Sequence, residues 1–306
     1  YSYAVLETLL TYLVAVFLEL PIFRYSGVGS EDVIGAALLE KVVEMHCNRF
    51  KVGLNLHTAF RDSLAYGLGV VSPVWEEKWG YIRRRNTFGG IDKYEDILYE
   101  GNKLINIDPY CYLPDPTTAI QDLQYGEFVG YVERTNYIRL MEEEGMSDSD
   151  FFNVRYLEGA DGKSRVISVS DISAREKRYG GDSREAITRG ESKPVDVVHM
   201  YMKIIPSSDE WKLGKERYPV KWLFSVAADK LLIRAKPLGL DHDMFPVCIA
   251  APDYDGYSLM PVSRMETVYG LQEIVDFLFK SHVTNVRKAI NDMFIVDPYL
   301  VNLADL

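Results

Sequence analysis

Residues 263–293 read SRMETVYGLQEIVDFLFKSHVTNVRKAINDM, and the reading of this stretch decides the architecture. Ser263 and Glu266 stand three apart, the spacing of a capping box: the serine caps the first helical turn and the glutamate reaches back. Behind them Val268, Leu271, Val275, Leu278, His282, Val286, Ala289 and Met293 recur every three or four residues. That spacing gathers them on one face of a helix. No proline interrupts the run, and Gly270 is its only glycine. The pattern predicts a helix over 263–292, about 45 Å long at about 1.5 Å per residue. A helix of this length outruns a single small core. Its apolar side needs companions, either in a coiled coil or in a ring of copies. The segment from Asp255 to Leu306 thereby divides into a turn, a capped helix and a new strand at Phe294–Val296 that opens a further region, 293–306.

Working back toward the start, residues 194–250 carry four strand-like runs: Val195–Ile205, Val220–Ala227, Leu231–Ala235 and Val247–Ala250. Before them, 158–194 is polar and glycine-punctuated and reads as a long mobile loop. Phe128–Val132 reads as a strand, Asn136–Glu144 as a short amphipathic helix, and Ser149–Leu157 as a second one. Leu104–Leu113 alternates and stops at Pro114-Asp115-Pro116. Residues 69–85 have strand character, with a hairpin turn expected near Trp79–Gly80, and Asp92–Tyr99 fits a short helix or strand. Residues 2–20 read as a helix ended by Pro21. A second long helix is expected from an N-cap at Ser30 to Tyr66, interrupted at Gly53 and closed by Gly67-Leu68-Gly69. Helices and strands in separate blocks place the chain in the α+β class. We expect an α+β domain over 1–262, the long helix over 263–292, and the start of another region over 293–306.

The bulk composition sets bounds. At 306 residues the chain holds one large or two modest domains. Its apolar fraction of 47% is enough for a substantial core. The net charge of −11 argues against a protein that grips nucleic acid by its phosphates. It is compatible with one that lets DNA pass without holding it. Cys47, Cys111 and Cys248 are odd in number and widely spaced, which fits reduced thiols better than a disulfide framework. Tyr1–Leu20 could span a bilayer by length. Glu7, Glu19 and three tyrosines inside it favour a buried or subunit-contacting helix instead, so no membrane is expected. The chain opens inside an apolar run and stops just after a new strand, so we expect it to be trimmed at both ends.

Catalytic patterns are weak. Gly27-x-Gly29 lacks the third glycine of a dinucleotide loop, and neither a Gly-Lys-Ser/Thr phosphate loop nor an HExxH pair occurs. His46 and His57 fall eleven apart on one expected helix. Asp241-His242-Asp243 could raise an imidazole pKa or hold a cation, but its setting is a turn. Asp253-x-Asp255-Gly256-x-Ser258 resembles the start of a calcium loop, but its twelfth position is Arg264 where a glutamate is needed. Arg83–Arg85 and Glu142–Glu144 read as solvated charge runs. The 21 tyrosines and 4 tryptophans suit a heavily contacting subunit. No catalytic residue, metal site or cofactor is expected.

Several stretches in order resemble the portal proteins of tailed bacteriophages. Val5-Leu6-Glu7-Thr8-Leu9-Leu10-Thr11-Tyr12-Leu13 looks like their early helix, and Asp62 through Val70 resembles the helix-to-strand junction of their wing, with Trp75 on the strand that follows. Ile107-Asp108-Pro109, Leu113 to Pro116 and Gly126-Glu127-Phe128-Val129 are similar to the next strands. Gly256-Tyr257-Ser258, Leu271-Gln272-Glu273 and Ser281 to Asn291 look like the approach to the first stem helix and that helix itself, with Met293 to Val296 entering the clip. The resemblance implies a portal-like wing leading into a stem, in a fragment ending near the start of the clip. It implies a homo-oligomeric ring of probably twelve copies at one capsid vertex, assembled in the bacterial host cytoplasm and carried in the virion. Terminase large subunit, capsid and tail adaptor proteins would be its partners, and double-stranded DNA would pass through its channel weakly bound. Val268, Leu271, Val275, Leu278 and Val286 would form the ring interface along the stem. Another virion structural protein, such as a capsid or connector subunit, remains an alternative. A metal-dependent hydrolase using Asp241–Asp243 is a further one.

Overall fold

A computed structural model describes residues 1–85, 90–145, 149–159, 194–228, 230–254, 256 and 258–290. The fold is α+β. Its elements in order are α1 (Ser2–Phe17), α2 (Val33–Arg49), α3 (Val52–Tyr66), β1 (Gly69–Arg85), β2 (Ile91–Ile107), β3 (Tyr112–Leu113), β4 (Phe128–Asn136), α4 (Tyr137–Glu144), β5 (Pro194–Ile204), β6 (Val220–Ala227), β7 (Leu231–Pro237), β8 (Cys248–Ala250) and α5 (Arg264–Ile290). The strands form two antiparallel sheets, ordered β2-β1-β8 and β3-β4-β5-β6-β7. Most of the expected loop, from 160 to 193, lies outside the described residues, as do the expected strand at Phe294–Val296 and the region 293–306 that it opens.

The long helix expected from Ser30 to Tyr66 is two helices. The break falls at Phe50–Lys51 rather than at Gly53, with Lys51 in the left-handed region at φ 53°. Tertiary packing dictates the position, because the Phe50 ring lies edge-on to Tyr99 of β2 at 5.5 Å. The Lys51 carbonyl then accepts from the Leu54 amide at 2.9 Å and starts α3. His46 and His57 therefore sit on different helices. Ser30 does not cap: its hydroxyl donates to Glu31 at 3.3 Å, and α2 begins two residues beyond Glu31. Gly67 does close α3, at φ 83°. A Cβ there would stand 2.5 Å from the Pro261 carbonyl oxygen, so this glycine also lets the chain entering α5 cross the α3–β1 junction.

No turn occurs at Trp79–Gly80. β1 runs straight through to Arg85 and pairs with β2 from Val70↔Ile107 to Arg85↔Ile91, with one register shift between Lys78 and Trp79. Asp92–Tyr99 is strand throughout. At about 3.3 Å per residue, the seventeen residues of β1 make a ribbon on the order of 50 Å long. β8 pairs only with its base, at Gly69–Val71.

One core cluster joins the two sheets. Leu68 and Val70 from the β1 end meet Val129, Tyr201 and Leu223 from the larger sheet around Phe245, which is 1% exposed. Gln124 fixes that phenylalanine's backbone from both sides, accepting from its amide at 2.7 Å and donating to its carbonyl at 3.1 Å. A second cluster packs Leu140 of α4 on Val195, Val197, Ala227 and Ile233. The short helix expected over Asn136–Glu144 is α4, and Asn136 caps it by accepting from the Arg139 amide at 2.7 Å. Ser149–Leu157 is not a helix. Asn153 takes φ 63°, Phe151 bridges Arg234, and Val154–Gly159 forms a 3-10 turn that buries Val154 and Leu157. The apolar spacing there was that of a buried turn, which a short helix imitates.

Asp115 ties the loop before β4. It is 5% exposed and accepts from the Thr117 hydroxyl at 2.6 Å, the Thr117 amide at 2.9 Å and the Glu127 amide at 2.8 Å. The Thr117 hydroxyl, with these amides, holds its carboxyl below the usual carboxylate range. Asp115→Asn would point an amide NH2 at one of these donors. We expect a loss of about 2 kcal/mol at pH 7. The depressed pKa makes this stabilisation complete above the unfolded carboxyl pKa of about 3.9 and lost as pH falls through the lower folded value. Urea midpoints of both proteins should therefore differ at pH 7 and converge in strong acid.

Candidate functional site

Beyond its root, α5 has an apolar side left exposed among the described residues. Ser263, 6% exposed, accepts from the Glu266 amide at 2.9 Å through its hydroxyl, and its carbonyl accepts from the Thr267 amide at 3.2 Å. Glu266 in the first turn and Arg287 and Lys288 in the last suit the helix dipole. The root is held on three sides. Met265 packs on the Leu6, Leu10 and Leu64 cluster between α1 and α3. Arg264 pairs with Asp253 at 2.9 Å. Gln272 accepts from the Ser2 hydroxyl at 3.0 Å and the Ser2 amide at 3.2 Å.

None of the 27 residues of α5 is buried. The five residues expected at an interface lie within an arc of about 80° at 100° per residue. Val268, near the root, is half-buried; Leu271, Val275, Leu278 and Val286 are exposed, at 66%, 39%, 59% and 42%. Ile274, Phe277 and Phe279 are exposed as well. Phe277 lies off the predicted stripe, and strict three-to-four counting missed it. A contiguous apolar surface of this kind marks a contact site in a folded protein.

Beside the root is an apolar groove of about 480 Å³. Leu9, Tyr12, Leu13 and Phe17 of α1 form one wall, Phe60 and Leu64 of α3 another, and Ala250, Ala251, Pro252 and Tyr254 a third. Tyr12 leans out at its rim, 68% exposed. The sequence indicates that α1 is amphipathic. It cannot reveal that α3 and the segment after β8 leave a trough against it.

Several of the charged groups singled out in the sequence are engaged locally. His242 accepts from the Met244 amide at 3.0 Å, and Asp243 pairs with Lys221 at 3.4 Å in an exposed turn. Among the described residues, no group of three or more His, Cys, Asp or Glu side chains could hold a metal ion. Asp253 serves Arg264, and Asp255 lies outside the described residues. Glu143 pairs with Arg139 at 3.2 Å, and Glu144 accepts from the Val154 amide at 3.3 Å.

Sequence reading missed one constellation. His199 of β5 stands between Ser225 Oγ at 2.8 Å and Glu133 Oε2 at 3.3 Å, the residue types of a hydrolytic triad. The hydrogen bond to His199 holds the Glu133 carboxyl below its usual range, against the cost of burial. Ser225 is 0% exposed, so no substrate reaches its oxygen. The three groups tie β4, β5 and β6 together. An adjoining cavity of about 430 Å³ is lined by the Arg134–Asp196 pair at 2.9 Å and the Arg139–Glu133 pair at 3.4 Å.

Cys47, Cys111 and Cys248 form no disulfide, and burial pushes the first and last of these up in pKa. Among the described residues, no helix is long and apolar enough to cross a membrane. No protein-family model matches the sequence, and no curated protein matches it.

Proposed function

We propose that the chain is a structural subunit of a ring of the phage portal type, with no catalytic role. The ring would stand at one capsid vertex and form the channel for DNA. The observation that carries this reading is α5, a capped 27-residue helix rooted firmly at one end with its apolar side uncovered. Burying an aliphatic side chain is worth about 1.5–3 kcal/mol. The five stripe positions together therefore represent on the order of 10 kcal/mol per contact before the entropic cost of association.

The groove beside the root suits the heterologous contact that closes a ring. A dimer needs one self-complementary patch, whereas a closed ring needs two different surfaces, one on each flank of every subunit. In this reading the α5 stripe and the α1–α3 groove would be those two surfaces. An acidic chain of net charge −11 would let DNA slide through without holding it. In this reading the ring docks terminase on one side and tail adaptors on the other, following the portal resemblance of Val5–Leu13, Asp62–Val70 and Ser281–Asn291.

Electron images of the purified assembly test the reading: rings with a central channel are expected, and compact particles of one or two copies would argue against it. Tyr12→Asp probes the groove separately. Its side chain is exposed, so the fold should keep its thermal midpoint, while each inter-subunit contact weakens about tenfold or more. Normal assembly of that variant would remove the groove from the interface.

A further inference from the structure

The ribbon of β1 and β2 has two unlike faces. On one, charges are neutralised within the ribbon: Arg84 pairs with Asp96 at 3.3 Å and Lys103 with Glu76 at 2.5 Å. The other face alternates through Trp75, Glu77, Trp79 and Tyr81, with Glu100 opposite Glu77; the three aromatic residues are 56%, 46% and 71% exposed, and Trp75 Nε1 donates to Glu77 at 3.1 Å. The register continues that face outward to Arg83 opposite Lys93 and Arg85 opposite Ile91. Beyond Trp79 it therefore carries three cations against one anion, Glu95, and none of the three has an ion pair among the described residues.

Two physical facts make this face unfinished. A two-stranded ribbon is marginal in water unless something packs on it. Among the described residues, β1 has no strand neighbour beyond Val71 other than β2, and β2 is the edge of its sheet. The exposed residues are tryptophan, tyrosine and arginine, the types that concentrate binding energy at protein contacts. The surface they would meet must be apolar and acidic. The chain itself has net charge −11, so another copy offers the complementary sign.

We infer that the aromatic face of the β1–β2 ribbon, with its basic outer end, is an arm that docks on the acidic surface of a second copy of this chain. The inference rests on the proposed homo-oligomer and adds a contact independent of α5. Trp75, Trp79 and Tyr81 supply the buried area, and Arg83, Arg85 and Lys93 set its placement. Nucleic acid is the competing occupant for such a face. The acidic balance of the chain disfavours it.

The test uses the full chain as it assembles. A benzophenone amino acid replaces Trp79, and equal amounts of 14N- and 15N-labelled protein are co-assembled and irradiated, with the native mass recorded on the same sample. Adducts joining both labels are expected, with a yield falling about tenfold or more when Arg83, Arg85 and Lys93 are all changed to Glu. A multimeric mass with adducts confined to one copy, or with adducts only to added DNA, would overturn the arm contact and leave the ring standing. A monomeric mass without mixed-label adducts would overturn both. A thermal midpoint equal to wild type in the triple variant keeps a loss of yield from being misread as unfolding.

Discussion

Leu278→Asp is expected to abolish the large assembly while leaving the body of the protein folded. Leu278 is 59% exposed in the single chain, so an aspartate there costs the isolated fold almost nothing. In an assembled stripe the same residue is buried. The substitution then forfeits about 1.5–3 kcal/mol of apolar burial and adds the cost of an unpaired carboxylate at the contact. Together these weaken each contact by at least about a hundredfold. Every copy in a ring makes two such contacts, so closure fails at concentrations that assemble the wild type. Mass photometry should report single copies, with far-UV circular dichroism unchanged. Full assembly of Leu278→Asp would remove α5 from the interface.

Phe245→Ala is expected to do the reverse, damaging the fold rather than the contact. The ring is 1% exposed and lies where the two sheets meet, with Lys221 Nζ 5.0 Å and Lys203 Nζ 5.5 Å from its centroid. Truncating a buried phenylalanine costs about 3–5 kcal/mol through lost transfer energy and the cavity left behind. The two cations above the ring also lose its face. The denaturation midpoint should fall steeply, and any protein that remains folded should still associate through α5. A midpoint within a few tenths of a kcal/mol of wild type would show that another group joins the sheets.

The contrast between these residues explains what was legible beforehand. Leu278 belongs to a periodic run, and periodicity survives in sequence because each residue on a helix face meets the same environment. The cap at Ser263, the helix it starts, the class of the fold and the close of α3 at Gly67 were readable for that reason. Phe245 sits between Asp-His-Asp-Met and Pro, where composition says turn, and only tertiary contact with Leu68 and Tyr201 makes it a keystone. The break at Lys51 was hidden likewise: Phe50 settles on Tyr99, 49 residues further along, and Gly53 was the more obvious breaker. The ribbon was misread at Trp79–Gly80 because a tryptophan–glycine pair resembles a turn. There Gly80 instead makes room for Leu98 from the opposite strand. The groove beside α5 depends on three segments distant in sequence, and no local pattern could announce it.

The central claim is that α5 exists to be covered by other copies of the same chain. Native mass spectrometry of the wild-type chain at micromolar concentration tests it most directly. The account predicts a single large species at an integer multiple of 35.0 kDa, about 420 kDa for twelve copies. A stable monomer of 35.0 kDa as the sole species would contradict it.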